Sequence, residues 1–323
     1  MTDNSQSMFT PSLVYNAWKN FRKGKKPSQA IIYFEYDLEK NLSNLHNDLR
    51  QQNYRHGKYI YREVNDNKRR LISVAPVRDR IVHRLIYDQL MPKVDIRLDY
   101  DVWSCRPNKG LHQAVDRTKT LLNRHKDSYV WRMDIRKFFD SVIKSKLLNM
   151  IHKYDVSDEL LELCENIIHS YRPSLGQGMP IGNLTSQIFA NIYLNEWDRF
   201  VRHQLQPLAY LRYGDDCILF FDTSKRALNS RSVAEKVLHE QLGLSLNFSN
   251  NIIIHSSKGL RFLGLTIYGS GTKINNKTWS KIHCNLDNTN LNSYFGIIAK
   301  FASTKQKNSF QALLRCNIIN REN

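Results

Sequence analysis

The chain has 323 residues, with 48 Lys and Arg against 30 Asp and Glu and a formal net charge of +18. An apolar share of 41% excludes a disordered polyelectrolyte; no apolar run is long enough to cross a bilayer, and the polar stretch Met1 to Thr10 is no secretory leader, so no membrane and a cytoplasmic location are expected. Five scattered cysteines without a CxxC pair argue against a disulfide framework or a zinc cluster, while a pI near 9.7 spread over the whole chain points to a polyanionic partner, nucleic acid before membrane.

Leucines at 38, 42, 45 and 49 carry a helical pattern that runs from Tyr15 to about Gln52. Tyr54 to Val74 reads as two strands joined through Asn65-Asp66-Asn67, with the basic triplet Lys68-Arg69-Arg70 opening the second. Val77 to Leu90 is a further helix carrying Arg78, Asp79 and Arg80, and residues 111–125 and 144–169 are helical. Tyr129-Val-Trp-Arg-Met-Asp134 is a strand ending in an acid and running into a helix start. Gly176-Gln-Gly-Met-Pro180 is a turn-rich loop before a long helix, roughly 183–204.

Tyr210 to Phe221 is an apolar and aromatic run broken by Gly214, Asp215 and Asp216, the pattern of a β-hairpin with Gly214 and Asp215, extending to Asp216, at its tight turn. A helix near 225–241 and strands near 244–254 and 260–268 follow. From about Gly271 the chain turns polar and ends in two basic helices, with eight Lys and Arg against two acids over 271–323. That segment reads as a small C-terminal domain gripping a phosphate backbone, an ordinary solvated helical tail being the alternative.

Adjacent carboxylates at a turn between buried strands suit either a solvated loop or a divalent cation, and a second acidic strand upstream favours the cation. If the strand ending at Asp134 lies beside the 210–221 hairpin, Asp134 and Asp215 can face each other across one or two magnesium ions. Such a site serves in-line attack of a 3′-hydroxyl on an α-phosphate.

Four stretches in order, Asp134-Ile-Arg-Lys-Phe-Phe-Asp140, Gln177 to Leu194, Tyr213-Gly-Asp-Asp216 and Phe262-Leu-Gly264, resemble the palm motifs of reverse transcriptases. Pro76 to Val82, with Asp79-Arg80, and Cys105-Arg-Pro-Asn-Lys-Gly110 resemble finger motifs of the prokaryotic members. The resemblance covers roughly residues 55–270. It implies a bacterial or phage-encoded RNA-directed DNA polymerase of α+β class with the right-hand fold. Residues 1–127 would be an N-terminal helical extension and fingers; 128–270 the palm, with a mostly antiparallel sheet and an interleaved fingers segment at about 150–182; and 271–323 a short basic thumb.

By the same resemblance Asp134 and Asp215 are the main ligands of two Mg2+ ions, with Mn2+ as a substitute, joined by Asp216 and the backbone carbonyl of Ile135. Phe139 is the steric gate against a 2′-hydroxyl, one of Phe138 and Phe139 being core instead. Arg69 lies along the incoming triphosphate, with Lys68 and Arg70 on the nucleotide or on template. Ile181, Gly182 and Ser186 complete the nucleotide-binding set. The implied partners are template RNA and its cDNA product, deoxynucleotides, and a small accessory RNA-binding protein.

Ile181 stands where most reverse transcriptases have Gln. With Ala190-Asn-Ile-Tyr-Leu-Asn-Glu-Trp-Asp198 it resembles the enzymes of diversity-generating retroelements, which misincorporate opposite template adenine. An aliphatic side chain cannot enforce base-pair geometry through a hydrogen bond as an amide can. Two positions depart from that family: Gly214 replaces Met or Ala, and Asn250 stands where a proton-donating Lys is usual, with Lys258 as a candidate replacement. These departures keep defence-associated, anti-phage reverse transcriptases acting with a non-coding RNA as the alternative.

Overall fold

Thr10 starts the first helix. Its hydroxyl accepts a hydrogen bond from the Leu13 amide and Pro11 occupies the first turn, where a missing N–H costs nothing, so Pro11–Arg22 begins four residues before the Tyr15 start read from the spacing. The computed structural model describes residues 7–65, 69–173, 176–286 and 290–319. Its packing divides the chain into two compact units. Met1–Tyr100, Ile135–Gln204 and Ala234–Leu246 form the first; Asp101–Asp134, Leu205–Val233 and Asn247–Asn323 form the second.

The first unit is mainly helical. Its helices are Pro11–Arg22, Gln29–Tyr36, Leu38–Arg50, Val77–Asp95, Phe138–Ser141, Lys144–Ile151, Asp158–Ser170 and Leu184–Phe200, the last prolonged by a π-helical turn over Val201–Leu205. Strands β1 (Ile60–Asn65) and β2 (Arg69–Val74) form an antiparallel hairpin pairing Ile60 with Val74 and Asn65 with Arg69. Asp79 of the Pro76 to Val82 motif is buried and accepts hydrogen bonds from the Tyr54 hydroxyl (2.7 Å) and the Gly57 amide (3.1 Å). Burial first, then the charge of Asp79, pushes the Tyr54 phenol well above its ordinary range. This aspartate therefore builds the fold.

The second unit holds two antiparallel sheets. Strands β3 (Tyr129–Asp134), β4 (Ala209–Tyr213), β5 (Asp216–Phe221) and β6 (Ile252–His255) lie in the order β4-β5-β3-β6. Strands β7 (Leu260–Phe262), β8 (Leu265–Ile267) and β9 (Thr272–Ile274) form the other. One apolar core joins Val130, Leu211, Ile218 and Phe220 of the first sheet to Phe262 and Ile267 of the second. Helix Leu111–Arg124 adds Ala114, Val115, Leu121 and Leu122, and the C-terminal helices add Ile298, Phe301 and Phe310. Helix Ser224–Leu242 starts in this unit and ends in the first.

Four expected elements are corrected. The helix expected over 144–169 is two, Lys144–Ile151 and Asp158–Ser170, parted where Ser157 caps the second by accepting from the Leu160 amide. Only Ile252–His255 of the stretch 244–254 is a strand, because residues 248–250 close into a 3-10 turn. The stretch 260–268 is two short strands, β7 and β8, turning at Leu263 and Gly264, both with positive φ. The C-terminal segment contains β9 and three helices, Asn276–Asn285, Leu291–Phe301 and Thr304–Ile319, where two were expected.

The side chain of Gln306 acts as an extra strand for β9. Its Oε1 accepts from the Ile274 amide (3.0 Å) and its Nε2 donates to the Ile274 carbonyl (2.8 Å). Gln306→Ala is expected to lower stability by about 1–3 kcal/mol and to speed hydrogen exchange at the Ile274 amide, measured by urea unfolding and exchange mass spectrometry.

Candidate active site

The register of β3 against β5 ends on a pair of acids. Tyr129 faces Phe221 and each residue follows in step until Asp134 faces Asp216. Directly opposed residues in an antiparallel pair lie about 4.5–5.5 Å apart at Cα, so two carboxylates meet at the sheet's end. Asp216 also faces Tyr213 across β4 and β5, which leaves Gly214 and Asp215 as a two-residue turn. Asp216 is thus a strand residue and belongs outside the turn expected for it. Gly214 has φ of 66° and Asp215 is not among the positive-φ residues, the pattern of a type II′ turn. A Cβ at Gly214 would meet nothing within 4 Å, so backbone conformation, not space, accounts for the glycine.

The two facing acids are satisfied differently. Asp216 receives both arms of the Arg132 guanidinium, Nε to Oδ1 at 3.0 Å and Nη2 to Oδ2 at 2.8 Å. Burial still pushes the Asp216 carboxyl up; Arg132 opposes that shift and the Asp134 charge adds to it. Asp134 accepts on Oδ2 from the side-chain amides of Asn247 (2.8 Å) and Asn250 (2.9 Å). Asp215 is half-buried at the turn.

The hairpin is braced by the stretch preceding the Cys105 motif. Arg212, fully buried, donates through Nη1 to the Gly214 carbonyl (3.0 Å), and its amide donates to the Asp101 carbonyl (2.9 Å). The Trp103 amide donates to the Arg212 carbonyl (2.9 Å), and the Gly214 amide to Ser104 Oγ (2.8 Å). The Asp101 carboxylate is itself gripped by Arg117 at 2.8 Å through two bonds. Sequence reasoning missed Arg132, Ser104, Arg212 and Asn247. A charged residue at alternate positions of an otherwise apolar strand was the available signal for Arg132, two residues before Asp134 and so on the same face.

The remaining expected residues lie in the first unit. Phe138 is buried and packs edge-on against Tyr193, while Phe139 is half-buried and its carbonyl accepts from the Met179 amide (2.7 Å). The Ile181 carbonyl accepts from the Ser73 amide (3.0 Å), tying that loop to β2. Gly182 has φ of 103°, and a Cβ there would sit 2.6 Å from Ile72 Cγ2, so only glycine fits. Ser186 is buried in helix Leu184–Phe200. Arg69 and Arg70 are exposed neighbours on β2 and so point to opposite faces; Arg69 Nη2 donates to Glu63 at 2.6 Å. Lys68 lies outside the described residues. Ile135, next in the chain after Asp134, is buried and bridges to Leu246.

Carboxylates are hard oxygen donors suited to Mg2+, and like charges facing across a strand pair fit a divalent cation. Among the described residues no three acid, His or Cys side chains are drawn together as a metal site. With Asp216 held by Arg132, the fit rests on Asp134 and Asp215. Lys258, the candidate stand-in for the missing lysine, lies toward the far end of β3 from Asp134. It follows the end of β6 that pairs with Tyr129, five residues along β3 from Asp134, about 17 Å at 3.3 Å per residue.

The family model described as reverse transcriptase (RNA-dependent DNA polymerase) matches residues 62–267. Protein YkfC of Escherichia coli is 24% identical over 246 residues, covering 64% of this chain and 65% of that protein. The putative COX1/OXI3 intron 2 protein of Saccharomyces cerevisiae is 19% identical over 262 residues, 61% of this chain and 30% of that protein. The chain thus spans less than two thirds of the length of these relatives. Telomerase from Candida albicans, solved with a fragment of telomeric RNA, superposes with a TM-score of 0.50 at 13% identity, over 72% of this chain and 50% of that one. Apo telomerase from Candida tropicalis gives 0.50 at 14%, over 85% and 54%. The α+β polymerase fold is therefore shared with these structures. Among the described residues no helix is long and apolar enough to cross a membrane.

Arg132→Met leaves Asp216 opposite Asp134 with no cation beside it. Because the folded-state pKa of Asp216 is already raised, its ionisation opposes folding as pH rises through the carboxylate range, and losing Arg132 enlarges that effect. The variant is expected to be less stable by about 1–3 kcal/mol near neutral pH. The deficit should shrink toward pH ~4 as Asp216 takes up its proton, measured by urea unfolding at both pH values.

Proposed function

The chain belongs to the reverse transcriptase family, and from that premise we propose that it is an RNA-directed DNA polymerase copying an RNA template into cDNA. The observation that carries the reading is the strand register that opposes Asp134 to Asp216 beside the Asp215 turn. Asp134 and Asp215 would hold the divalent metal ions, Mg2+ or Mn2+, with Asp216 beside them kept in place by Arg132. When bound, the ions supply a lowered pKa at the attacking 3′-hydroxyl and neutralise charge on the leaving pyrophosphate.

The protein's own residues position and select. The turn held by Ser104 and Arg212 fixes Asp215 relative to Asp134. In the first unit, Phe139 would exclude a 2′-hydroxyl by clash, Arg69 would meet phosphate oxygens with its planar fork, and the loop at Ile181 and Gly182 would line the nucleotide. Template RNA, cDNA and deoxynucleotides are the substrates and products of this reading. The finer reading is a diversity-generating enzyme, error-prone at template adenines and working with a small accessory RNA-binding protein. Ile181 supports it, since it supplies no hydrogen bond with which to test pair geometry.

Primer extension on the RNA encoded beside the gene, followed by sequencing of the cDNA, tests both levels. Asp215→Ala is expected to lower extension by about 10²–10³-fold; extension at the wild-type rate would refute the polymerase reading. Wild-type cDNA is expected to carry changes mainly at template adenines, and Ile181→Gln to reduce them by about three- to tenfold. Faithful wild-type copying, or a repetitive product, would favour the anti-phage alternative, and an unchanged error spectrum in Ile181→Gln would remove that residue from fidelity.

A further inference from the structure

Asp134 and Asp216 face each other, yet a cation balances only one of them. Asp216 has Arg132; among the described residues Asp134 makes no ion pair and is met by two neutral amides. A neutral donor stabilises a carboxylate without cancelling its charge, whereas a guanidinium cancels it. Both amides land on one oxygen, Oδ2.

The segment delivering those amides is itself held by several bonds. The Asn247 amide N–H donates to the Asp134 carbonyl (2.8 Å), which fixes the segment to the end of β3. Ser249 Oγ donates to Asn247 Oδ1 (2.8 Å), so the Asn247 side chain must present its Nδ2 to Asp134. The Asn250 amide donates to the Asn247 carbonyl (2.9 Å), closing the 3-10 turn that places the second side chain beside the first. Trp131 Nε1 donates to Asn251 Oδ1 (2.6 Å) and pins the far end of the turn to β3. An interior of β-branched or apolar residues would need none of this.

We propose that the turn Asn247–Asn250 is a positioning device for Asp134: two amides hold Oδ2 and leave Oδ1, with the carboxylate's charge uncancelled, as the oxygen offered to a divalent cation. Asn250, at the place where similar enzymes carry lysine, acts here by positioning and not as a proton donor. Ser249 belongs to the device although it does not touch the carboxylate. The inference rests on the polymerase reading only in calling the bound cation catalytic.

The test is Mn2+ titration of the full chain followed by electron paramagnetic resonance, without nucleotide or template. The wild type is expected to bind Mn2+, and Asp134→Ala to lose that binding. Asn250→Leu, nearly the same shape but without a donor, is expected to weaken binding about tenfold, and Ser249→Ala by about two- to threefold. In primer extension, Asn250→Leu should raise the half-saturating Mg2+ concentration while the rate at saturating Mg2+ stays within about threefold of wild type. A merely structural role would instead lower the unfolding midpoint and leave metal affinity unchanged in the folded fraction. Wild-type Mn2+ affinity in folded Asn250→Leu overturns the proposal, as does binding in the wild type that survives Asp134→Ala. If Asn250→Leu does not fold, Ser249→Ala decides on the same criterion. A chain that binds Mn2+ through Asp134 and responds to both variants, yet extends no primer, would sustain the inference and sink the polymerase reading.

Discussion

The constraint on which the site depends is a register. Six consecutive pairs lock β3 to β5, from Tyr129 opposite Phe221 to Asp134 opposite Asp216. A slip of one residue would turn Trp131 and Met133, both buried, to the other face. The core therefore enforces the meeting of two carboxylates, an arrangement that opposes folding by itself and that the surrounding residues must answer. The answers differ. A buried-side guanidinium takes Asp216, while a short turn of amides takes one oxygen of Asp134. On the proposed reading, this asymmetry between two like groups would let one serve structure while its neighbour keeps charge for a cation.

Much of the remaining architecture of the second unit supports that end of the sheet. The bonds from Asp101, Trp103 and Ser104 hold β4 and the Gly214 turn, and Arg117 holds Asp101 in place. The π-helical turn at Val201–Leu205 follows the most buried helix of the first unit, where Arg202 grips Asp99 through two bonds of 2.6 and 2.8 Å. π-Helical turns of this kind are uncommon and recur near functional sites. Here the turn ends one residue before Gln206, a non-glycine residue with positive φ, as the chain turns toward β4.

Sequence legibility followed the range of the interactions. Elements set by local periodicity were readable: the amphipathic amino-terminal helices, the hairpin of β1 and β2, and the apolar hairpin of β4 and β5 with its Gly-Asp turn. The neighbourhood of β3 and β5 was readable as a condition, because Asp134 and the later acids made sense only if those strands were adjacent. Which acid faces Asp134 was not, since register depends on pairing across more than eighty residues. The partners of the acids escaped for the same reason. Asn250 looked like a lost lysine because the sequence does not reveal that residues 247–251 fold back against β3. Boundaries failed where a short turn interrupts a plausible run, at 152–157 and at 248–250.

The unequal treatment of the two facing acids is best examined by soaking crystals of the chain in Mn2+ and collecting anomalous diffraction at the manganese edge. Density is expected at Asp134 Oδ1 and at Asp215, with the Arg132–Asp216 pair intact and both amides still on Asp134 Oδ2. A metal centred on Asp216 with Arg132 displaced, or no metal at Asp134, would contradict that unequal treatment.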